Sequence, residues 1–440
     1  MNFKTAKNIY FIGIGGIGMS AVARMFLLEG REVHGSDLAA SEVTEELEKL
    51  GAHIHIGSPA KNLPEGTDLV IYTVAIPETH SEFVAAKSAG ISTMSYPESL
   101  AHISKGKYTI AVAGTHGKTT TTAMIAKILI DAGLDPTVIV GSMLRDLKNG
   151  SRSNFVAGKS KYFVVEACEY KRSFLNIHPD IAVITNIDED HLDYYKNLEG
   201  VQGGFQDFIH NIKNGGTLVT GIESETVEPV IARLEAFLKE QEIAVLDFEF
   251  PKKILLKIPG EHNIRNAKAA LVVASILGVP EETALASLAN FSGTWRRFEE
   301  KGQTAAGAFV YDDYAHHPAE IAATLQGVRE KFPSQKIVVI FQPHLYSRTK
   351  EHFTEFGAAL ARADEIVLVP IYAAREPNDP TVSSELLVEE IKKHNTTHIA
   401  FAPDFSKAAE IALQKAGKDD VVITMGAGDV GAISDLVINR

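Results

Sequence analysis

The chain has 440 residues, 45% of them hydrophobic and 22% charged, with a formal net charge of −13. That length exceeds one ordinary core and suggests about three domains of roughly 150 residues each. The acidic balance argues against a general nucleic-acid binder, no apolar run approaches the ~20 residues of a membrane helix, and the single cysteine, Cys168, rules out an internal disulfide or a Cys-cluster metal site and suits a reducing cytoplasm.

Lys4 and Lys7 precede an apolar run, as in an export signal. Gly13, Gly15, Gly16 and Gly18 break that run, however, and helical patterning continues past it. The residues instead predict a strand from Asn8 to Ile14, a glycine turn, an apolar helix from Met19 to Leu28, and a second strand from Val33 ending at Ser36-Asp37. This is a βαβ unit with G-x-G-x-x-G and an acid closing its second strand. The glycines let a diphosphate reach the backbone at a helix N-terminus, and the acid can bind a ribose or a base edge. The motif marks a diphosphate rather than a nicotinamide, so NAD and a nucleotide sugar fit it equally. A turn used only for packing is the third reading. Leu69 to Val74 predicts a third strand, and Ser104-Lys105-Gly106 a linker.

Next comes an apolar strand, Tyr108 to Ala113, then Gly114-Thr115-His116-Gly117-Lys118-Thr119-Thr120, then a helical pattern from Thr121 to Ala132. A glycine turn between strand and helix aims backbone N–H groups at one point on the positive end of the helix dipole. Lys118 adds a full charge there, and the Thr119 hydroxyl can hold Mg²⁺. This is a phosphate cradle for a nucleoside triphosphate. It departs from G-x-x-x-x-G-K-[ST] in having Val112 where the first glycine would stand. The plain alternative is an ordinary glycine turn with a solvated lysine.

Tyr162 to Val165 predicts a strand ending in Glu166-Ala167-Cys168-Glu169, and Ile181 to Thr185 another, ending in Asn186-Ile187-Asp188-Glu189-Asp190-His191. Open α/β sheets gather ligands at carboxyl strand ends, and an acid there beside a phosphate loop suits a Mg²⁺ carboxylate. On position, Glu166 and His191 read as functional, whereas Asp188, Glu189 and Glu169 read as solvated loop charges. Val227 to Lys239 is an amphipathic packing helix. In Gly260-Glu261-His262-Asn263, His262 and Asn263 are helix caps or contacts to an adenine edge.

A hinge at 291–298 leads to strands Phe309 to Tyr311, Ile337 to Phe341, Ile366 to Pro370, Ile399 to Phe401 and Val421 to Thr424, separated by helical segments. These predict a smaller parallel α/β layer. Two strand ends are rich in polar groups: Asp312-Asp313-Tyr314-Ala315-His316-His317-Pro318 and Gln342-Pro343-His344-Leu345-Tyr346-Ser347-Arg348. His317 and His344, taken singly, read as caps or core hydrogen bonds.

Taken together and in this order, the motifs resemble the Mur ligase family, ATP-dependent amide-forming enzymes of peptidoglycan precursor synthesis. The matching stretches are G-I-G-G-I-G-M-S at Gly13 to Ser20, G-T-H-G-K-T-T-T at Gly114 to Thr121, E-A-C-E-Y at Glu166 to Tyr170, and T-N-I-D-x-D-H at Thr185 to His191. They continue with G-x-H-N-x-x-N-A at Gly260 to Ala267, R-R-F at Arg296 to Phe298, D-D-Y-A-H-H-P at Asp312 to Pro318, F-Q-P-H at Phe341 to His344, and G-A-G-D at Gly426 to Asp429. The resemblance implies an α/β chain of three domains. These are an N-terminal Rossmann-like UDP-binding domain over 1–106, a central P-loop-type ATPase domain over 107–295, and a C-terminal Rossmann-like domain over 296–440.

It further implies that Gly15, Gly16, Ile17, Gly18, Asp37 and Thr73 hold the UDP sugar. Gly114, Thr115, His116, Gly117, Lys118, Thr119 and Thr120, with Asn263, Arg297 and Asp313, would hold ATP, and Tyr314, His316 and Arg348 would lie near the incoming amino acid. Lys118, Glu166 and His191 would be catalytic, with two Mg²⁺ ions (or Mn²⁺) at Thr119, Glu166 and His191. The implied partners are UDP-N-acetylmuramate, ATP and L-alanine, with no nucleic acid or membrane insertion, in a cytoplasmic monomer or weak homodimer.

Two positions depart from the family pattern. Gln206 stands where several sibling ligases carry a carbamoylated lysine, which fits the alanine-adding branch. Leu345 follows F-Q-P-H where that branch often has arginine. A ligase for a recycled murein tripeptide shares every motif up to the amino-acid pocket. An NAD-dependent oxidoreductase would have no use for Gly117-Lys118-Thr119, and a non-catalytic nucleotide-binding regulator would need no acid–histidine pair.

Overall fold

In the computed structural model, which describes residues 3–57, 60–145, 152–374, 376–394 and 398–439, the chain forms three mainly parallel sheets. They fall into two compact units, one of residues 1–255 and 265–291, the other of 256–264 and 292–440. The chain passes between the units after Leu255, within the helix Glu261–Ile276 and again after Phe291.

The first unit holds two of the sheets. Five parallel strands run in the spatial order His53–Ile56, Glu32–Asp37, Asn8–Ile12, Leu69–Tyr72 and Ser92–Ser95. Asn8–Ile12 thus has later strands on both sides, and the crevice at its carboxyl end receives the first glycine turn. The second sheet repeats this logic. Its order is Ala244–Leu246, Thr217–Thr220, Ile181–Ile184, Tyr108–Ala113, Tyr162–Glu166, Thr137–Leu144 and Ser153–Val156. Tyr108–Ala113 lies between the strands that end at Glu166 and Ile184, so the phosphate loop opens between both acidic strand ends. The run Thr-Ile-Ala-Val-Ala is wholly buried, as befits a central strand covered on both faces.

The sequence reading did not anticipate the antiparallel hairpin Thr137–Leu144 and Ser153–Val156. The helix Ile17–Leu28 of the first sheet packs on this hairpin. Buried Asn154 Nδ2 donates to the Ile17 carbonyl at 2.5 Å and to Ser20 Oγ at 2.8 Å. Both glycine-turn helices also begin earlier than predicted, at Ile17 and Lys118, because apolar periodicity is silent about a first turn that faces a ligand.

The second unit carries the third sheet: Glu299–Gln303, Phe309–Asp313, Val421–Met425, Ile337–Phe341, Glu365–Leu368 and His398–Phe401. The predicted parallel strands are present. Glu299–Gln303 adds an antiparallel edge, hidden in sequence by its polar composition and a bulge near Gly302. Helices cover both faces, with one core around Tyr311, Ile321, Phe341 and Phe356, and another around Val310, Ile340, Ala409 and Ile433.

Candidate active site

Lys118 is the first residue of the helix Lys118–Asp131, and Gly117 caps it in the left-handed conformation, φ +81°. A side chain at Gly117 would also strike Asn266, so glycine is required on two counts. The loop is stitched to the neighbouring strand end. Thr115 N donates to the Asn186 carbonyl at 3.1 Å, His116 N to Asn186 Oδ1 at 2.9 Å, and Thr185 Oγ1 to the His116 carbonyl at 2.5 Å. Thr115 and Asp188 join through Thr115 Oγ1, which accepts from Asp188 N at 2.9 Å. Thr185 and Asn186 therefore hold the cradle's shape, a role that sequence reasoning missed.

The Lys118 ammonium is mostly buried and fully engaged. It donates to the Gly114 carbonyl at 2.6 Å, to the Thr115 carbonyl at 2.9 Å, and to Glu169 Oε1 at 3.0 Å. Burial by itself would lower its pKa. The carboxylate of Glu169, and more weakly that of Glu166, outweigh burial, and the net shift is upward, so the cation persists.

Glu169 needs a correction. Expected as a solvated loop charge, it is 2% exposed, pairs with Lys118, and lies 3.7 Å from His191 Nε2. Tyr195 donates its hydroxyl to the Glu169 carbonyl at 2.5 Å. The available signal was its spacing, three residues after Glu166 in a turn leaving a buried strand beside a lysine loop. Asp188 and Glu189 do sit on the exposed side of their loop.

Glu166, at the end of its strand, accepts from Thr119 Oγ1 at 2.9 Å and from Gly141 N at 2.7 Å. His191 instead groups with Glu169 and Asp190, their ligand atoms all within 4.8 Å of one another. The structure thus sets His191 against Glu169 and Asp190 rather than directly against Glu166. Two carboxylates and an imidazole can hold a divalent ion, and the oxygen pair of Thr119 and Glu166 suits Mg²⁺. His191 takes a left-handed backbone, φ +55°, with its ring 4.7 Å from that of Tyr170. Such a conformation is uncommon outside glycine and costs roughly 1 kcal/mol or more.

In the first sheet, the Ser36 carbonyl accepts from Gly13 N at 2.9 Å and from Ile14 N at 3.0 Å, and Asp37 Oδ2 accepts from Gly15 N at 2.8 Å. The Thr73 methyl lies against Gly13. Gly15, Gly16, Ile17, Gly18, Asp37 and Thr73 therefore surround one helix N-terminus, although Asp37 already uses the Gly15 N–H.

The remaining predicted residues belong to the second unit. Asn263 Nδ2 donates to the Pro259 carbonyl at 2.6 Å, a local turn contact. Asp313 gives Oδ2 to Phe298 N at 2.7 Å and Oδ1 to Ala315 N at 2.8 Å, and burial pushes its carboxyl up to about 6. Both of its oxygens thus accept from backbone N–H groups. The Arg297 guanidinium lies 5.1 Å from the Tyr314 ring centre and 4.0 Å from Glu320.

His316 Nδ1 meets the Tyr314 carbonyl at 2.9 Å, and burial lowers its pKa. That contact assigns the proton to Nδ1 and leaves Nε2 with the lone pair. His344 lies 5.9 Å, ring to ring, from His316, stacks on Tyr372, and meets Arg348 at 3.2 Å. His344 thus joins the Tyr314, His316 and Arg348 group, a placement that its single-residue reading missed. His317 caps the helix Pro318–Lys331, as the plain reading had it.

Family models match three successive stretches: the Mur ligase family catalytic domain at residues 8–108, the Mur ligase middle domain at 112–253, and the Mur ligase glutamate ligase domain at 296–428. The chain is 42% identical to a UDP-N-acetylmuramate–L-alanine ligase of Clostridium kluyveri, over 100% of both chains. It is 41% identical to one from Caldanaerobacter subterraneus subsp. tengcongensis, over 98% of this chain and 96% of that one. Among solved structures, a UDP-N-acetylmuramate–alanine ligase from Thermotoga maritima superposes with a TM-score of 0.84 at 29% identity, covering 98% of each chain. A murein peptide ligase from Psychrobacter arcticus shares the fold, with a TM-score of 0.74 at 23% identity and 98% coverage of each. On its sequence along the whole length and on its fold, the chain belongs to the Mur ligase family.

Proposed function

We propose that this protein joins L-alanine to the lactyl carboxylate of UDP-N-acetylmuramate at the expense of ATP, in the cytoplasm, for peptidoglycan precursor synthesis. The observation that carries the reading is the buried lysine of the glycine cradle, held against Glu169 and beside the Thr119–Glu166 pair. Full-length similarity to UDP-N-acetylmuramate–L-alanine ligases supports the choice of substrates. The domain limits we adopt are 1–106 for the UDP sugar, 107–295 for ATP and 296–440 for the amino acid.

A carboxylate resists amination because it repels nucleophiles and oxide is a very poor leaving group. Moving the γ-phosphoryl of ATP onto a carboxylate oxygen gives an acyl phosphate and ADP. The alanine amine then adds to the acyl carbon, and phosphate departs with the former carboxylate oxygen, leaving an amide. The first step brings two anions together, so positive charge must be in place beforehand. Lys118 supplies one such charge. Its present partners are the Gly114 and Thr115 carbonyls and Glu169, and incoming phosphate oxygens must replace part of that set. Thr119 with Glu166, and His191 with Glu169 and Asp190, would hold two Mg²⁺ ions, which neutralise phosphate charge. Asn263, Arg297 and Asp313 are assigned to the nucleotide. Tyr314, His316 and Arg348 are assigned to the amino acid, with Arg348 for its carboxylate. His316, neutral and with a free Nε2, is suited to take a proton from the alanine ammonium.

The test is phosphate release from ATP with UDP-N-acetylmuramate, scanning L-alanine, glycine, L-serine and the murein tripeptide. L-alanine should give the highest kcat/KM. A preference for the tripeptide would move the chain to the recycling branch, and no release with any amine would overturn the reading.

A further inference from the structure

Tyr96 opens the helix Tyr96–Ser104, and its position is fixed at the start of that helix. Ser95 and Glu98 form a capping box around it, with Ser95 N donating to Glu98 Oε2 at 2.6 Å, and Pro97 stiffens the first turn. The helix packs on the turn Tyr170–Asn176, which follows Glu166 and Glu169 in the chain. The Tyr96 phenol lies across Gly18. A methyl group added at Gly18 would stand 2.5 Å from Tyr96 Cζ and 2.6 Å from its hydroxyl.

Gly18 is the second residue of the helix Ile17–Leu28, in the turn whose N–H groups have no intrahelical acceptor. The third glycine of G-x-G-x-x-G therefore does more here than bring helix and strand together, because it makes room for an aromatic ring beside the anion seat. Tyr96 also faces the second sheet. Burial, then the charge of Glu166, hold its phenol above the usual range, so it keeps its proton and remains a donor. Among the described residues the hydroxyl has no hydrogen-bond partner.

The loop 13–18 itself contains no lysine, and Asp37 brings negative charge to it. A neutral donor beside Gly18, in the first turn of that helix, suits a phosphate oxygen there. We infer that Tyr96 is a sugar-nucleotide contact, its hydroxyl donating to the diphosphate seated on the Gly15–Gly18 turn while its ring closes the side of that seat towards Glu166. This assignment rests on the sugar-nucleotide reading of the first glycine loop.

The test uses the full chain and the variant Tyr96→Phe, which keeps the ring and removes the donor. Binding of UDP and of UDP-N-acetylmuramate is measured by calorimetry without ATP, and KM for ATP in the full reaction. The variant should bind both ligands about tenfold more weakly, as for loss of a hydrogen bond to a charged group. Its KM for ATP should stay within about twofold, since the Lys118 cradle is untouched. Unchanged affinity for both ligands would overturn the assignment. So would weakening confined to UDP-N-acetylmuramate, which would put the contact on the sugar or lactyl group. If the unaltered protein bound neither UDP ligand, the sugar-nucleotide reading itself would fall.

Discussion

The two glycine loops of the first unit share a plan and differ in charge. Each follows the central strand of a parallel sheet, heads a helix and contains a carboxylate of the protein's own. In the loop at 114–120 that carboxylate is Glu169, buried and paired with Lys118. In the loop at 13–18 it is Asp37, which accepts from the Gly15 N–H and forms no ion pair with a lysine among the described residues. Dipoles and neutral donors suffice to hold a diphosphate that does not react. A phosphoryl group in transfer develops charge that a full cation must meet. The contrast separates a loop built for binding from one built for chemistry.

The largest expected effect comes from removing the distinguishing cation. Lys118→Ala should lower kcat by about 10³-fold or more while leaving affinity for UDP-N-acetylmuramate unchanged. It also strands Glu169 as a buried charge, at a cost of about 3 kcal/mol in unfolding free energy. Adding Glu169→Gln should restore that stability, seen as a recovered melting temperature, without restoring turnover. Equal melting temperatures for the single and double variants would mean that Glu169 is no counter-charge.

Next in size, His191→Ala and Glu166→Gln should each raise the Mg²⁺ concentration for half-maximal rate by about 10–100-fold, as loss of a ligand or its support does. Mg²⁺ titration of the initial rate is the measurement, and UDP binding is the control that should not move.

Asp313 offers a contrast outside both loops, as a buried carboxylate held mainly by backbone N–H groups. Its folded-state pKa of about 6 lies above the usual 3.8, so the neutral form is favoured by folding. The stability this gives is complete below pH 3.8 and is lost as pH rises through 6. Relative to Asp313→Asn, the unaltered protein should therefore lose about 2 kcal/mol between pH 4 and pH 7 in chemical unfolding. A constant difference across that range would contradict it.

The smallest effect is expected at Asp37. Asp37→Asn removes a negative charge from the binding loop and keeps an acceptor for Gly15 N, so UDP affinity should rise or fall by no more than about fivefold, with kcat unchanged. A loss of turnover comparable to that of Lys118→Ala would erase the distinction between the loops.

Much of this arrangement was legible because it rests on local chemistry. Glycines at strand–helix turns, buried apolar strands such as Tyr108–Ala113, and Lys118-Thr119 at a helix head declare themselves in a few consecutive residues. The hairpin of Thr137–Leu144 and Ser153–Val156 did not, because its pairing is antiparallel and its partner helix lies in another sheet. Glu169 was misread because a charge in a loop looks solvated until the fold brings a lysine from fifty-one positions away in sequence to meet it. Asp313 was legible as a motif acid, but its bonds from Phe298 N and Ala315 N were not, because sequence alone does not show which backbone groups the fold turns towards it. His344 carried no signal alone and acquires one only beside Arg348, His316 and Tyr372.

The central claim is that the Lys118 cradle drives phosphoryl transfer onto the lactyl carboxylate. It is tested most directly with UDP-N-acetylmuramate labelled with ¹⁸O in both carboxylate oxygens, by mass analysis of the phosphate released during turnover with ATP and L-alanine. An acyl phosphate requires one ¹⁸O in each phosphate formed, with the other retained in the amide. Phosphate free of ¹⁸O, released in step with amide formation, would contradict the account.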